Sequence, residues 1–488
     1  METKDNKTNI ILINEISEQE LVNWLRYYLV AGQIVNEKYS SKGASSWYPY
    51  GYSIIKNILS IASDILVREA GFKEIVLPSF VHGEDFMKEC SNIKDFSERV
   101  YWSPIYREDD LHVVTPTIEA QLGVIYEGWL REGKRLPYKY FTVRAVGRCE
   151  TGRTIPLWKE RNIWPFFEGL TADSSIKDFL KTIHDQVIFM KQFFKQLGIP
   201  ILIVERPRIE KRLQEYSEKR IEAITITKDK RVVILANIYD LGEIFSKVYD
   251  IILKKKKLFP KSYALVSAIG FSGRVLAVLL SIYGDEKGFL MNPHISPIQV
   301  GIIPIYDSIS IKNQAKKILI KLGKEGISSR IFSANSSFGE RRKIVEAMGI
   351  PFILEVGTRE IESGIYVIKT RSLIEPIKVN FDRLVPTLKK QSNFLNGKMS
   401  KKASDDFYAL NKQPKDIKEF VNFTKNGYLT KISLCNKNNC LMRATSLSQV
   451  EVIGKDCGRS SKKNIKCIIC AQKAKRYIYF GIKWKGEK

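Results

Sequence analysis

The stretch from Phe141 to Asp173, FTVRAVGRCETGRTIPLWKERNIWPFFEGLTAD, constrains the fold more than any other part of the chain. A β-branched and aromatic run enters a polar loop holding Arg148, Glu150, Arg153, Lys159 and Arg161, and the apolar run IWPFFEGLTA leaves it. That outline predicts a β-hairpin with a long tip. Guanidinium groups placed between two buried strands must be paired or hydrated. The tip is therefore either a solvated turn or a loop that binds an anion.

One core cannot organise 488 residues, and about two to four domains are expected. No segment is apolar for the length a bilayer span needs, and METKDNKTNIILINE lacks a basic region followed by a hydrophobic block, so the expectation is a cytoplasmic protein with no membrane partner. Lys and Arg number 79 against 53 Asp and Glu, a surplus of +26 spread along the chain. Such a surplus suits a polyanionic partner such as tRNA, rRNA or DNA, although a Lys- and Ile-rich composition set by an AT-rich genome would produce it too.

The seven cysteines are odd in number and five crowd the last part of the chain, which argues against a disulfide framework. Cys435 and Cys440 are separated by four residues, Cys467 and Cys470 by two. Two close thiol pairs are what a tetrahedral zinc site needs, with incidental free thiols as the alternative. No histidine lies near them, and Cys457 is the spare. A four-thiolate site has no open position, so its role would be structural.

Along the chain, SEQEL gives a capped helix start before the apolar stripe of LVNWLRYYL. A second amphipathic helix follows YPYG, and KEIVLPSF reads as a short strand. After the hairpin, ADSSIKDFLKTIHDQVIFMKQFFKQLG predicts a long helix with a Ser/Asp cap and a glycine stop. ILIVERP and RVVILANIYDLG read as strands. Gly270 and Gly273 precede an apolar run that reads as a buried helix, with Arg274 at its start, either binding phosphate beside free N–H groups or paired within the core. From Pro297, strand and helix alternate over about ninety residues, the pattern of an α/β domain with a largely parallel sheet. SNFLNGKMSKKASDD, polar and poor in apolar residues, reads as a linker after it. Neither a Walker P-loop nor a Gly-x-Gly-x-x-Gly is present.

From about Trp24 to Tyr479 the ordered series of motifs resembles a class II aminoacyl-tRNA synthetase, specifically the archaeal and eukaryotic type of prolyl-tRNA synthetase. YPYG and Pro78 resemble the first motif region, and TPTIE at Thr115 to Glu119 stands where the family has Arg-Pro-Thr-Ser-Glu. GRCETGRTIPLWKERNIWPFFEGLTA is similar to the family's Arg-x-Glu-Thr, Thr-x-Pro and Phe-x-Glu elements. DLGEIFSKVYDI resembles its Leu-Gly-Gln-Asn-Phe-Ser segment, and GFSGRVLAVLLSIYGDEKG its third motif. PFILEVGTREIESG is similar to the anticodon-binding domain, and the paired cysteines match the C-terminal zinc module.

The resemblance implies an α+β protein: a catalytic domain on an antiparallel sheet (1–295), an α/β anticodon-binding domain (296–390) and a small zinc-binding α+β module (391–488). It implies ATP-dependent attachment of proline to tRNA through a prolyl-adenylate, with Mg2+ in the reaction, structural Zn2+ and a homodimer. Arg148 would hold the α-phosphate and the substrate carboxylate, Glu150 the adenine amino group, Arg161 the loop and ATP, and Arg274 the γ-phosphate. Thr117, Glu119, Arg148, Phe166 and Glu168 would receive proline, and Glu346 and Arg359 the anticodon. Thr115, Ile118, Leu170, Asn237 and Tyr239 depart from the family's amino-acid pocket, Gly152 and Ile155 from its motif 2 loop, and Met348 from its anticodon domain. The five departures in the amino-acid pocket leave open a synthetase-derived paralogue that binds tRNA or nucleotide without charging tRNA with proline.

Overall fold

The structure, a computed structural model, describes residues 16–91, 93, 96–104, 111–206, 217–254, 262–333, 336–371, 375–458 and 465–484. Residues 1–15, which bear on the export-signal expectation, lie outside the described residues.

The hairpin is formed by strands Tyr138–Gly147 and Asn162–Asp173, antiparallel, with Thr142 opposite Glu168 and Val143 opposite Phe167. It lies near one edge of an eleven-stranded sheet, where Lys73–Glu74 is the outermost strand. Inward from the hairpin come Leu265–Ser272, Val232–Gly242, Lys219–Ile226 and Leu202–Glu205, all antiparallel to their neighbours. Beyond Leu202–Glu205 the sheet continues into strands of the C-terminal region, Glu451–Asp456, Arg476–Gly481 and Leu429–Leu434. The C-terminal region thus closes a sheet edge that would otherwise present unpaired N–H and C=O groups.

Successive side chains on a strand point to opposite faces. Phe167 turns to one face and stacks between Phe141 and Phe271, with ring centroids 5.0 and 4.6 Å away. Helices Pro49–Ala70 and Ile176–Leu197 cover this face and bury Ile54, Ile58, Phe189 and Phe193. Both have the expected punctuation: proline opens the first, while Ser175 caps the second and left-handed Gly198 ends it. Gly51 lies in the first helix because a Cβ there would stand 2.2 Å from the Ile34 carbonyl oxygen. Phe166 and Glu168 turn to the opposite face, where the candidate site lies.

A separate five-stranded sheet, with strands in the order Ser329–Ile331, Val300–Pro304, Phe352–Val356, Ile365–Lys369 and Ile377–Asn380, follows. Its first three strands are parallel, but the last two run antiparallel, so the expected largely parallel sheet is mixed. The links into those last strands are too short for a parallel crossover.

The stretch expected as a linker is instead the middle of a 27-residue helix, Leu384–Leu410. Leu388, Leu395, Met399, Ala403 and Phe407 recur at helical spacing and are all buried, forming a stripe that the polar residues around them conceal in composition. All seven cysteines are free, consistent with the absence of a disulfide framework.

Candidate active site

A cavity of about 340 Å³ opens over the face that Glu168 presents. Sheet register defines its floor: Asn237, Gly270 and Glu168 stand opposite one another on three adjacent strands. Gly270 keeps that floor low, since a Cβ there would come 3.1 Å from the Phe167 carbonyl oxygen and 3.5 Å from Glu168. Of the site residues expected from sequence, Thr117, Glu119, Arg148, Glu150, Phe166, Glu168 and Arg274 all line this one cavity.

At one end the groups are cationic. Arg148 leaves the rising strand of the hairpin, donates from Nε and Nη2 to the Pro116 carbonyl at 3.0 and 2.9 Å, and lies 4.8 Å over the Phe166 ring. Arg274 opens the buried helix Arg274–Tyr283 directly after Gly273. It donates to the Trp158 carbonyl at 3.3 and 3.1 Å and to that of Ile234 at 3.4 Å. The hydrogen bonds of both guanidiniums thus go to neutral carbonyls, which leaves their charge available to an anion. Arg161 does not line the cavity. It sits behind the tip and holds it, donating to the carbonyls of Glu150 at 3.0 Å and of Lys42 and Gly152 at 3.3 Å.

At the other end the groups are acidic. Glu119 is the first residue of helix Glu119–Arg131, where a carboxylate suits the positive end of the helix dipole. The Thr117 hydroxyl reaches Glu119 and also Oε1 of Glu168, the latter at 2.7 Å, while Oε2 of Glu168 has no partner. Burial, then the neighbouring Glu119, pushes the Glu168 carboxyl well above its ordinary value, against the pull of Arg148 and Thr117.

Two of the departures from the expected pocket, Asn237 and Tyr239, line the cavity; Thr115, Ile118 and Leu170 do not. Alternation puts Leu170 on the cavity face, yet helix Glu119–Arg131 covers it, and the Tyr126 hydroxyl donates to its carbonyl at 2.7 Å. Ile118 is in the same apolar cluster, and Thr115 is 1% exposed with its amide bonded to the Ser79 carbonyl at 3.0 Å.

The cavity also includes residues that sequence reasoning missed, chiefly Glu89, Trp158 and Glu160. Nothing in the local pattern around Glu89 marks it. Glu160 sits in the cationic tip, where its density of charge was visible but its direction was not; Ser45 donates to its Oε1 at 2.5 Å, and burial raises its carboxyl to about 7.

Elsewhere, the Sγ atoms of Cys435, Cys440, Cys467 and Cys470 all lie within 4.8 Å of one another, with Cys457 outside the group. Three are buried and Cys470 is exposed. This donor set and spacing fit a tetrahedral metal ion. Glu346 and Arg359 lie on separate elements of the five-stranded region: Glu346 accepts from Arg342 Nε at 3.3 Å, and Arg359 is exposed on the short helix Thr358–Ser363.

An antiparallel sheet with a cationic hairpin and a buried helix opening on arginine, followed by residues 299–391 that match the family of anticodon binding domains, defines a class II aminoacyl-tRNA synthetase. A proline–tRNA ligase of Sulfurisphaera tokodaii is 30% identical over 479 residues, 94% of this chain and 97% of that one. One from Sulfolobus acidocaldarius is 27% identical over 480 residues, covering 95% and 98% respectively. Within the class, the chain belongs to the proline–tRNA ligase family. Its fold is that of Giardia lamblia prolyl-tRNA synthetase, solved in complex with prolyl-adenylate, with a TM-score of 0.86 at 21% identity over 96% of this chain and 99% of that one.

Proposed function

We propose that this chain activates proline with ATP and transfers it to tRNA. The observation that supports this reading best is the single cavity that sets two arginines lacking anionic hydrogen-bond partners at one end and buried acids at the other. A carboxylate attacking the α-phosphate, with pyrophosphate leaving, concentrates negative charge at the cationic end, while the secondary ammonium of proline wants acceptors at the acidic end. Arg148 orients the α-phosphate and the substrate carboxylate, Arg274 holds the γ-phosphate and Glu150 takes the adenine amino group. Arg161 acts through the tip that it braces. Thr117, Glu119 and Glu168 receive the ammonium, with Phe166 against the ring.

Magnesium, when bound, would come with the nucleotide and offset phosphate charge. Cys435, Cys440, Cys467 and Cys470 hold zinc, which tethers the C-terminal turn and leaves no open position for chemistry. Residues 1–295 perform catalysis, 296–390 read the anticodon through Glu346 and Arg359, and 391–488 form the zinc module, the helix Leu384–Leu410 crossing the second boundary. The surplus of +26 suits tRNA. The protein works as a cytoplasmic homodimer; among the described residues no helix is long and apolar enough to cross a membrane. The reading of a non-charging paralogue leaned on five altered positions, three of which lie outside the cavity.

Proline-dependent ATP–pyrophosphate exchange, followed by charging of a tRNA transcript, tests this reading. Exchange no higher with proline than without any amino acid overturns it, and metal analysis of the purified protein checks the expected one zinc per chain.

A further inference from the structure

Glu89 has no role in the reaction as read above, yet it is the most enclosed acid of the cavity. It lies one residue from the end of helix Gly83–Cys90 and is 2% exposed, against 6% for Glu119 and 7% for Glu168. Neither of its oxygens makes a hydrogen bond within the protein. We propose that Glu89 is a third acid of the amino-acid subsite, uncharged while the subsite is empty and releasing its proton to solvent when a secondary ammonium settles beside Glu119 and Glu168. The inference rests on the proline-ligase reading and deepens it.

The charge balance leads to this. Glu119 faces Glu89 from the helix Glu119–Arg131, Glu168 from the descending strand of the hairpin, and Arg148 is the cation set against them. The remaining neighbours bring no positive charge: Cys90 adjoins it, and Tyr249 faces it with its hydroxyl donated to the Asp85 carbonyl at 3.0 Å. Lys88, on the same helix, is turned outward to Asp85 at 2.7 Å. Arg144, near Glu168, donates to Gln121 and to the Pro78 carbonyl at 2.7 and 2.6 Å.

Three ionised carboxylates facing Arg148, with Arg144 acting on Glu168 but not on Glu89, repel each other in a buried site, so one keeps its proton. Glu168 has the Thr117 hydroxyl as a donor, and Glu89 has none. Burial first, then Glu119 and Glu168, raises the Glu89 carboxyl well above its ordinary value; the Ala120 amide pulls the other way but lies outside hydrogen-bonding geometry. An entering ammonium adds one positive charge and two donors, which reverses the balance and favours the ionised form. The subsite therefore grips proline harder as pH rises through the titration of this cluster.

The test uses the full chain. Proline is titrated calorimetrically in buffers of differing ionisation enthalpy, and KM for proline in pyrophosphate exchange is followed from pH 6 to 8.5. The wild type should release a measurable fraction of a proton per proline bound, and its KM should fall as pH rises. Glu89→Gln should release less, since the raised Glu168 carboxyl still titrates, show a weaker pH dependence of KM with its value raised roughly ten-fold, and lower kcat far less than that. Unchanged KM and proton release in the variant overturn the inference while leaving the function intact. If the variant does not fold, Glu168→Gln decides beside the wild type: proton release that persists in Glu168→Gln supports the proposal, and no release in the wild type, or release lost with the Glu168 carboxyl, overturns it. A wild type without proline-dependent exchange overturns the functional reading, and this inference with it.

Discussion

The two ends of the cavity are incomplete in opposite senses. Arg148 and Arg274 bond only to neutral carbonyls, so the cationic end lacks an anion. Glu168 and Glu89 keep buried oxygens without partners, so the acidic end lacks hydrogen-bond donors. A protein optimised for stability alone would pair these groups, because unpaired buried charge is costly. Keeping them apart is the arrangement expected of a site that completes itself with a zwitterion and a polyphosphate.

Removing the cation should break the contrast most severely. Arg274→Ala should lower kcat/KM for pyrophosphate exchange by about 10³-fold, the scale of losing a preorganised charge at a developing oxyanion. Its carbonyl partners remain solvable by water, so a circular dichroism spectrum like that of the wild type should accompany the loss. Near-normal exchange would remove Arg274 from the phosphate site.

The next largest effect concerns the acid on the cationic side. Glu160, if ionised, would cancel part of the arginine field, but burial raises its carboxyl from 4.5 to about 7. Between those values the folded state binds more protons than the unfolded state, so stability from this group is present at acid pH and falls as pH rises. The fall amounts to about 3 kcal/mol. Glu160→Gln is immune to it, and its melting temperature should overtake that of the wild type between pH 5 and pH 8. A parallel pair of pH profiles would show that Glu160 is ionised in the fold.

How much of this could be read from the chain depended on whether the signal was local. The hairpin was legible because alternating β-branched and aromatic residues mark both strands, and the cysteine group because its spacing is itself the signal. The helix Leu384–Leu410 was hidden by polar composition, although its buried leucines and Met399 keep helical spacing. Glu89 and Leu170 depend on which distant segment covers which face, and no pattern within DFMKECSN or FFEGL encodes that. The cavity joins residues from Glu89 to Arg274; its acid and cation sets were recognisable separately, while their enclosure was a tertiary fact.

At the acidic end, Glu168→Gln keeps the shape and the Thr117 contact but removes the charge. KM for proline should rise about 30-fold, in line with loss of a charge-assisted hydrogen bond. KM for ATP should stay within about two-fold, since the two ends act on different substrates. Equal rises in both would merge the two halves into one electrostatic unit and dissolve the comparison.

The smallest effect should come from the wall that departs from the family pattern. Tyr239 lines the cavity while the Arg220 guanidinium lies 5.4 Å over its ring, so its position is set from outside the pocket. Tyr239→His changes the polar ring at this departure from the family's pocket but leaves the acids untouched. A change of no more than about five-fold in KM for proline is expected, the size of a weak polar contact or of a cation–π pairing lost behind the wall. Leu170→His gives the contrast, because it buries an imidazole in the apolar cluster under Tyr126 and should cost about 2–4 kcal/mol of stability while touching no substrate. If instead Leu170→His shifts KM and leaves the melting temperature alone, the cavity extends past helix Glu119–Arg131, and the boundary between its acidic end and the core must be redrawn.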